Sequence, residues 1–396
     1  MKKRILFAGA EFQQASGTCG SLNAEWEYLY AADAPAALAL LSVQPCDAIV
    51  ADFHLPGIDG AQLLEKAGQR HPLMLRFICA PLSDWSATMK CLGKAHQFLP
   101  KPAGLPAIHA ALRRGFALQT WLPDNDALKL VAGLDRLPSP PELYFGVVAE
   151  LQSPAGSIEH VGELIARDPA MTAKLLQLAN SAVMGLGLEV TGPAQAIFYL
   201  GAETTKSLIL LAHTFSYFDN LKPSELDVGV LWAHSLRTGI FARWIAQEEG
   251  LAAEGSAQAF TAGLLHDLGR LALAENRPRE LSLALGLARK ESIPVWLAER
   301  RLWGASHAEV GACLLGCWGL PASIVEAVAL HHSPVALLSN GFCPLTAVHV
   351  ANVIAHELAP DGHPGQPSLL DMDYLARLGL ADRLDAWRQV CQRPPD

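Results

Sequence analysis

Charge is scarce in this chain, and positive charge most of all. Only 17% of the 396 residues are charged, and 30 Lys and Arg face 39 Asp and Glu for a net charge of −9. That balance supplies no basic field to draw the chain onto nucleic acid or an anionic membrane, so neither is expected as a partner. No run approaches the roughly 20 apolar residues that a bilayer crossing needs, and no internal repeat or low-complexity tract is present. The basic start Met1–Arg4 leads into an apolar run, Ile5–Ala8, too short for the core of a signal peptide. The eight cysteines include no CxxC pair and no regular spacing. This argues against a disulfide framework and favours reduced thiols in the cytoplasm. Cys313 and Cys317, one helical turn apart, read as small packing residues. What the chain does have is apolar residues, 51% of the total. That is enough for two domains with sizeable cores and excludes a largely disordered protein.

The first part, residues 1–119, alternates strand and helix patterns. Short apolar runs at Ile5–Ala8, Trp26–Ala31, Ala48–Ala51, Met74–Cys79 and Gln97–Leu99 predict five strands, and Asp33 is a fitting N-cap for the Ala/Leu-rich run behind it. Such alternation predicts a doubly wound parallel sheet covered by helices, with any site at the carboxyl ends of its strands. Asp52 falls at such an end, in Asp-Ala-Ile-Val-Ala-Asp-Phe-His-Leu-Pro-Gly-Ile-Asp-Gly (47–60), and Lys101 follows the fifth strand in Phe-Leu-Pro-Lys-Pro (98–102). These two stretches resemble the phosphoacceptor loop and the Lys-Pro motif of response-regulator receiver domains. The resemblance implies Asp52 as phosphoryl acceptor and Lys101 as its cationic partner. Two positions depart from the family pattern: Gly9 and Ala10 stand where an acidic pair would hold Mg²⁺, leaving Glu11 the nearby carboxylate, and Ala80 stands where a hydroxyl is usual. Mg²⁺ is therefore expected to bind poorly here.

A linker is expected over 120–136, where Leu-Pro-Asp-Asn-Asp (122–126) breaks the helical pattern, and Leu-Pro-Ser-Pro-Pro (137–141) breaks it again. From Glu142 the pattern is helical almost throughout, so the second domain, 137–396, is predicted to be all-α. Within it, Ala-Gly-Leu-Leu-His-Asp-Leu-Gly-Arg (262–270) is an apolar helical run ending on His266 and Asp267. Imidazole and carboxylate both coordinate divalent ions, and Gly269 is expected to let the backbone turn away without a Cβ clash. His234 upstream and His307, His331 and His332 downstream are candidates for further ligands. Adjacent helical residues point about 100° apart, so only one of His331 and His332 is expected to face a given ion.

This pattern resembles the HD superfamily of metal-dependent phosphohydrolases. It is still more similar to the HDOD domain, the HD-related output domain of bacterial signalling proteins, with Arg-Asp-Pro-Ala-Met-Thr-Ala-Lys-Leu-Leu (167–176), Asn180-Ser181, Ala196-Ile197 and Leu200-Gly201 adding to the likeness. The resemblance implies a regulatory module with a hydrolase skeleton and a divalent metal held by His234, His266, Asp267 and His307. Asn352 stands where HD hydrolases supply a closing Asp, and Ser333-Pro334-Val335 stands where HD-GYP phosphodiesterases carry their loop. The reading is a cytoplasmic, non-enzymatic receiver–HDOD signalling protein with protein partners: a sensor kinase upstream and a signalling protein downstream. Its alternative is a metal-dependent phosphohydrolase or cyclic-nucleotide phosphodiesterase.

Overall fold

A computed structural model describes residues 2–14, 26–81, 94–95, 97–121, 126–134, 142–153, 156–180, 184, 190–218, 226–318, 320–336, 341–358 and 369–392. The chain divides into two compact units, Met1–Leu137 with Cys313–Ala322, and Pro138–Ala312 with Ser323–Asp396.

In the first unit β1 (Lys3–Ala8), α1 (Ala10–Gln14), β2 (Trp26–Ala31), α2 (Ala34–Val43), β3 (Ala48–Asp52), α3 (Gly60–Arg70), β4 (Leu75–Pro81), β5 (Gln97–Lys101) and α4 (Leu105–Trp121) alternate as predicted. The sheet is parallel throughout, in the order β2-β1-β3-β4-β5. Successive residues of a strand point to opposite faces, and here both faces are apolar. Leu6, Ala8, Ile49 and Ile78 pack with α2 and α3 residues on one face, while Ile5, Phe7, Val50 and Phe77 pack with Ile108, Ala111 and Leu112 of α4 on the other. Burial on both sides explains why these strands read as continuous apolar runs. Asp33 caps α2, its carboxylate accepting the Ala36 N–H at 2.8 Å.

The stretch read as a linker holds a helix, α5 (Asp126–Ala132). Ala127, Leu130, Val131 and Leu134, at i, i+3, i+4 and i+7, are all buried, an apolar stripe sufficient to fold a short segment. The breaks read at 122–125 and 137–141 lie outside the described residues.

From Glu142 onward the described residues are helical, as predicted: α6 (Glu142–Gln152), α7 (Ile158–Ala166), α8 (Pro169–Ala179), α9 (Pro193–Leu200), α10 (Ala202–Tyr217), α11 (Val228–Glu248), α12 (Ala253–Leu265), α13 (Leu268–Asn276), α14 (Pro278–Glu291), α15 (Val295–Trp303), α16 (His307–Cys317), α17 (Ala322–Leu330), α18 (Pro344–Glu357), α19 (Met372–Arg377) and α20 (Leu384–Gln392). Asp168 caps α8 with Pro169 in its first turn. Among the described residues no helix is long and apolar enough to cross a membrane.

Gly269 does not serve the turn expected of it. It lies inside α13, and a Cβ there would stand 1.9 Å from the carbonyl oxygen of His307. The residue is glycine because the start of α16 passes directly over it, and that approach brings His307 to the helix that follows Asp267. Gly269→Ala should therefore lower stability by about 1–3 kcal/mol, the usual range for overpacking. Gly286→Ala, in an exposed helical position with nothing near the added carbon, should be neutral or raise it by about 0.5–1 kcal/mol. Urea unfolding of the two variants measures the contrast; equal stability would remove the packing argument.

Candidate functional site

Four helix ends of the second unit converge on Asp267. His266 closes α12, Asp267 precedes α13, His307 opens α16, and His331 and His332 follow α17, while His234 comes from the middle of α11. Two groups of ligand atoms gather there, each within 4.8 Å: Asp267, His307, His331 and His332, and His234, His266 and Asp267. Asp267 belongs to both. The expectation that only one of the paired histidines faces a given site is overturned. His331 and His332 stand in a turn beyond the end of α17, where the 100° rule for helices does not apply, and their rings lie 3.9 Å apart.

The hydrogen bonds sort the imidazoles by what they can still accept. His266 Nδ1–H donates to the Gly263 carbonyl and His331 Nδ1–H to that of Val328, each at 2.8 Å. Each is thereby held as the tautomer with its lone pair on Nε2, and both Nε2 atoms are buried without a hydrogen-bond partner. A buried polar atom left unpaired is costly, and a fixed Nδ1–H donor with a bare Nε2 is the arrangement of a metal-ligating histidine. His349 steadies the turn: its Nδ1–H donates to the His331 carbonyl at 2.8 Å and its Nε2 accepts the Asp371 N–H at 2.9 Å. The donor set therefore fits a divalent ion.

His234 is arranged differently. Its Nε2–H donates to Asn352 Oδ1 at 2.9 Å, and His356 stacks on it at 4.2 Å. Asn352 thus occupies the place read for the closing ligand, with a neutral amide oxygen.

Charge is concentrated on four groups. Asp267, 3% exposed, receives Arg270 Nη1 on Oδ2 at 3.1 Å and His307 Nε2 on Oδ1 at 3.1 Å. Burial would raise its pKa, but His266, Arg270 and His307 outweigh that and hold it well below the usual carboxylate range. Burial also opposes charge on His307, yet the carboxylates of Glu299 and Asp267 push its pKa up to about 9. Glu299, fully buried, accepts both the His307 Nδ1–H at 2.6 Å and its backbone N–H at 2.8 Å. Burial works against charge on the other rings of the cluster. Burial lowers His234, His331 and His332 well below the ordinary histidine value and lowers His266 as well, with neighbouring rings adding to the effect in His234, His331 and His332.

Sequence reasoning missed Glu299, His349 and His356. Glu299 sits in Leu-Ala-Glu-Arg-Arg (297–301) and looks like an ordinary charged face; its one signal is its place on the buried side of α15, beside Val295 and Ala298.

In the first unit the strand ends place Asp52 and Lys101 as read. Lys101 Nζ lies 2.6 Å from Asp52 Oδ2 and 2.6 Å from Glu11 Oε1. Burial would lower the Lys101 pKa, but the two carboxylates raise it. The His54 N–H donates to Asp52 Oδ1 at 3.0 Å. Gly9 has φ +143°, and a Cβ there would stand 3.0 Å from that of Asp52. An aspartate at position 9 would thus be strained as well as crowded. Ala80 is buried and offers no hydroxyl.

A parallel sheet with an Asp and a Lys at its strand ends, followed by a helical unit centred on His-Asp, defines the receiver-plus-HD-output class of signalling protein. Residues 137–334, half of the chain, match the HDOD domain. The chain belongs to the HDOD family. A crystal structure of an HDOD domain protein of unknown function from Geobacter sulfurreducens is 27% identical, with TM-score 0.55, over 67% of this chain and 91% of that one. An uncharacterised protein of Treponema pallidum is 25% identical over 207 residues, 52% of this chain. The N-terminal region matches the DNA-binding transcriptional regulator NtrC of Salmonella typhimurium, 32% identical over 81 residues, 20% of this chain. These matches span 40% of the Treponema protein and 17% of NtrC.

Glu299 can be tested without reference to any ion. Glu299→Ala would leave the buried His307 without its main counter-charge and should cost about 3–5 kcal/mol. Glu299→Gln keeps an acceptor and should cost less. Denaturant midpoints give both numbers, and an unaffected Glu299→Ala protein would show that the carboxylate does not hold His307.

Proposed function

We propose that the chain is a non-enzymatic signalling protein of the cytoplasm in which the receiver domain governs which protein the HDOD domain contacts. The observation that supports it best is the amide of Asn352 on His234. It engages the Nε2 that would turn toward an ion and brings no negative charge with it. Arg270 adds to this by holding one oxygen of Asp267. Buried Asp267 and Glu299 are already balanced by His307 and Arg270, so the cluster needs no ion to be electrically closed.

Metal binding is compatible with this reading. Two groups could hold a divalent ion: His234, His266 and Asp267, and Asp267, His307, His331 and His332. Such an ion, when bound, would act as a Lewis acid on a coordinated oxygen. A second reading, a metal-dependent phosphohydrolase, is favoured by one observation: the two ligand groups share Asp267, as a site for two ions would.

Elemental analysis after incubation with Mn²⁺ or Fe²⁺ tests the ligand set. Retained metal should be lost in the His266→Ala, Asp267→Ala double variant; retention at full stoichiometry would reject the assignment. Hydrolysis of cyclic dinucleotides and phosphomonoesters by the metal-loaded chain should be absent or very slow. Multiple turnover abolished by His234→Ala would replace the regulatory reading with the enzymatic one.

The receiver domain makes its own statement. Phosphoryl transfer to Asp52 gathers negative charge that Mg²⁺, a lysine and a hydroxyl donor normally offset, and Lys101 is shared with Glu11. Acetyl phosphate with Mg²⁺ should leave Asp52 largely unmodified. Ala10→Asp with Ala80→Thr, leaving the constrained Gly9 untouched, should raise labelling by about tenfold or more if missing ligands are the cause. Efficient Asp52-dependent labelling of the unaltered chain would make it a working phosphoacceptor.

A further inference from the structure

Among the described residues Arg243 meets no carboxylate. Its guanidinium is half-buried on α11, and among the described residues no carboxylate lies within ion-pair distance of it. Its contacts are a 3.3 Å hydrogen bond to Thr204 Oγ1 and the ring of Phe260, 5.6 Å from its centre. Burial lowers the pKa of Arg243. In a chain with nine more acidic than basic groups, a desolvated guanidinium left unpaired is a cost that an incoming anion would remove.

The space beside it has a shape to match. A cleft of about 170 Å³ is lined by Arg243, Trp244, Tyr199, Met184, Ile240 and Leu200, with Gln247 exposed at its rim. That is close to the roughly 150 Å³ that holds a single benzene ring and is below the range for drug-sized molecules. Two aromatic side chains and three aliphatic or thioether ones suit a flat apolar body, and a planar guanidinium suits a bidentate anion. We infer that this cleft binds a small planar aromatic ligand carrying one anionic group, with Arg243 as the anchor. Arg243 lies nine residues beyond His234 on α11, about 180° around the helix at 100° per residue, so this site is separate from the histidine cluster.

Calorimetric titration of the full chain with benzoate and with benzamide tests the inference. The acid should bind at one site per chain and the amide about tenfold or more weaker, the difference a charge-assisted pair confers. Arg243→Met should reduce the acid to the level of the amide, and Tyr199→Ala should weaken both alike. Phenyl phosphate, titrated in parallel, distinguishes a phosphate-bearing ligand from a carboxylate-bearing one by which binds tighter. The His266→Ala, Asp267→Ala protein should bind unchanged, which separates this site from the metal reading. Should Arg243→Met fail to fold, Arg243→Lys serves in its place and should weaken the acid selectively. Equal affinity for acid and amide, no binding of either anion at millimolar concentration, or an acid affinity untouched by a folded Arg243 variant would overturn the proposal.

Discussion

The buried carboxylate of Asp267 is the constraint on which the second unit's centre depends. An ionised group taken out of water must be met by opposite charge and by hydrogen bonds on every side. Arg270, one turn along α13, supplies the first, and His307 the second. His307 reaches Asp267 only because the start of α16 lies against Gly269, where no side chain intervenes. The charge that His307 then carries has to be met in turn, and the buried Glu299 of α15 meets it through the ring and the backbone of the same residue. One carboxylate thus fixes the approach of three helices.

The strand ends of the first unit solve a similar problem by a shorter route. Asp52 and Glu11 are two carboxylates drawn to a single ammonium group, and Lys101 lies 2.6 Å from each. A lysine is a compact point charge that can serve two acceptors at once, whereas Mg²⁺ requires a nearly octahedral shell of oxygens. Gly9 and Ala10 provide none of those oxygens from their side chains, and the positive φ of Gly9 shows a backbone shaped around the small residue.

How far the sequence disclosed this depended on whether a feature was carried by spacing or by packing. The five strands and most helices were legible because apolar periodicity and caps such as Asp33 and Asp168 act within a few residues. Asp52, Lys101, His266 and Asp267 were legible because each stands in a run whose composition marks an element end. Helix α5 was missed because Pro123 and the polar residues around it drew attention from the short stripe of Ala127, Leu130 and Val131. The role of Gly269 was misread because its partner, the His307 carbonyl, is 38 residues away and leaves no local trace. Glu299 was hidden for the same reason: only the fold shows that this charged residue faces inward. The His331–His332 pair was misjudged by treating the end of α17 as though it continued.

Whether a site of this kind works as a metal centre or as a fixed framework turns on which groups already hold its charge. His266 and His331 present bare nitrogens, the mark of a place prepared for a ligand. Asp267, by contrast, already has a cation on each oxygen, and His234 donates its proton to Asn352. An entering ion would share Asp267 with His307 and Arg270, whose positive charge opposes its own. The buried rings favour the ion while the charged core resists it. On the proposed reading, that opposition lets an HD-type skeleton keep its histidines for packing and weak coordination while the work of hydrolysis, which needs a firmly held and activated water, is absent.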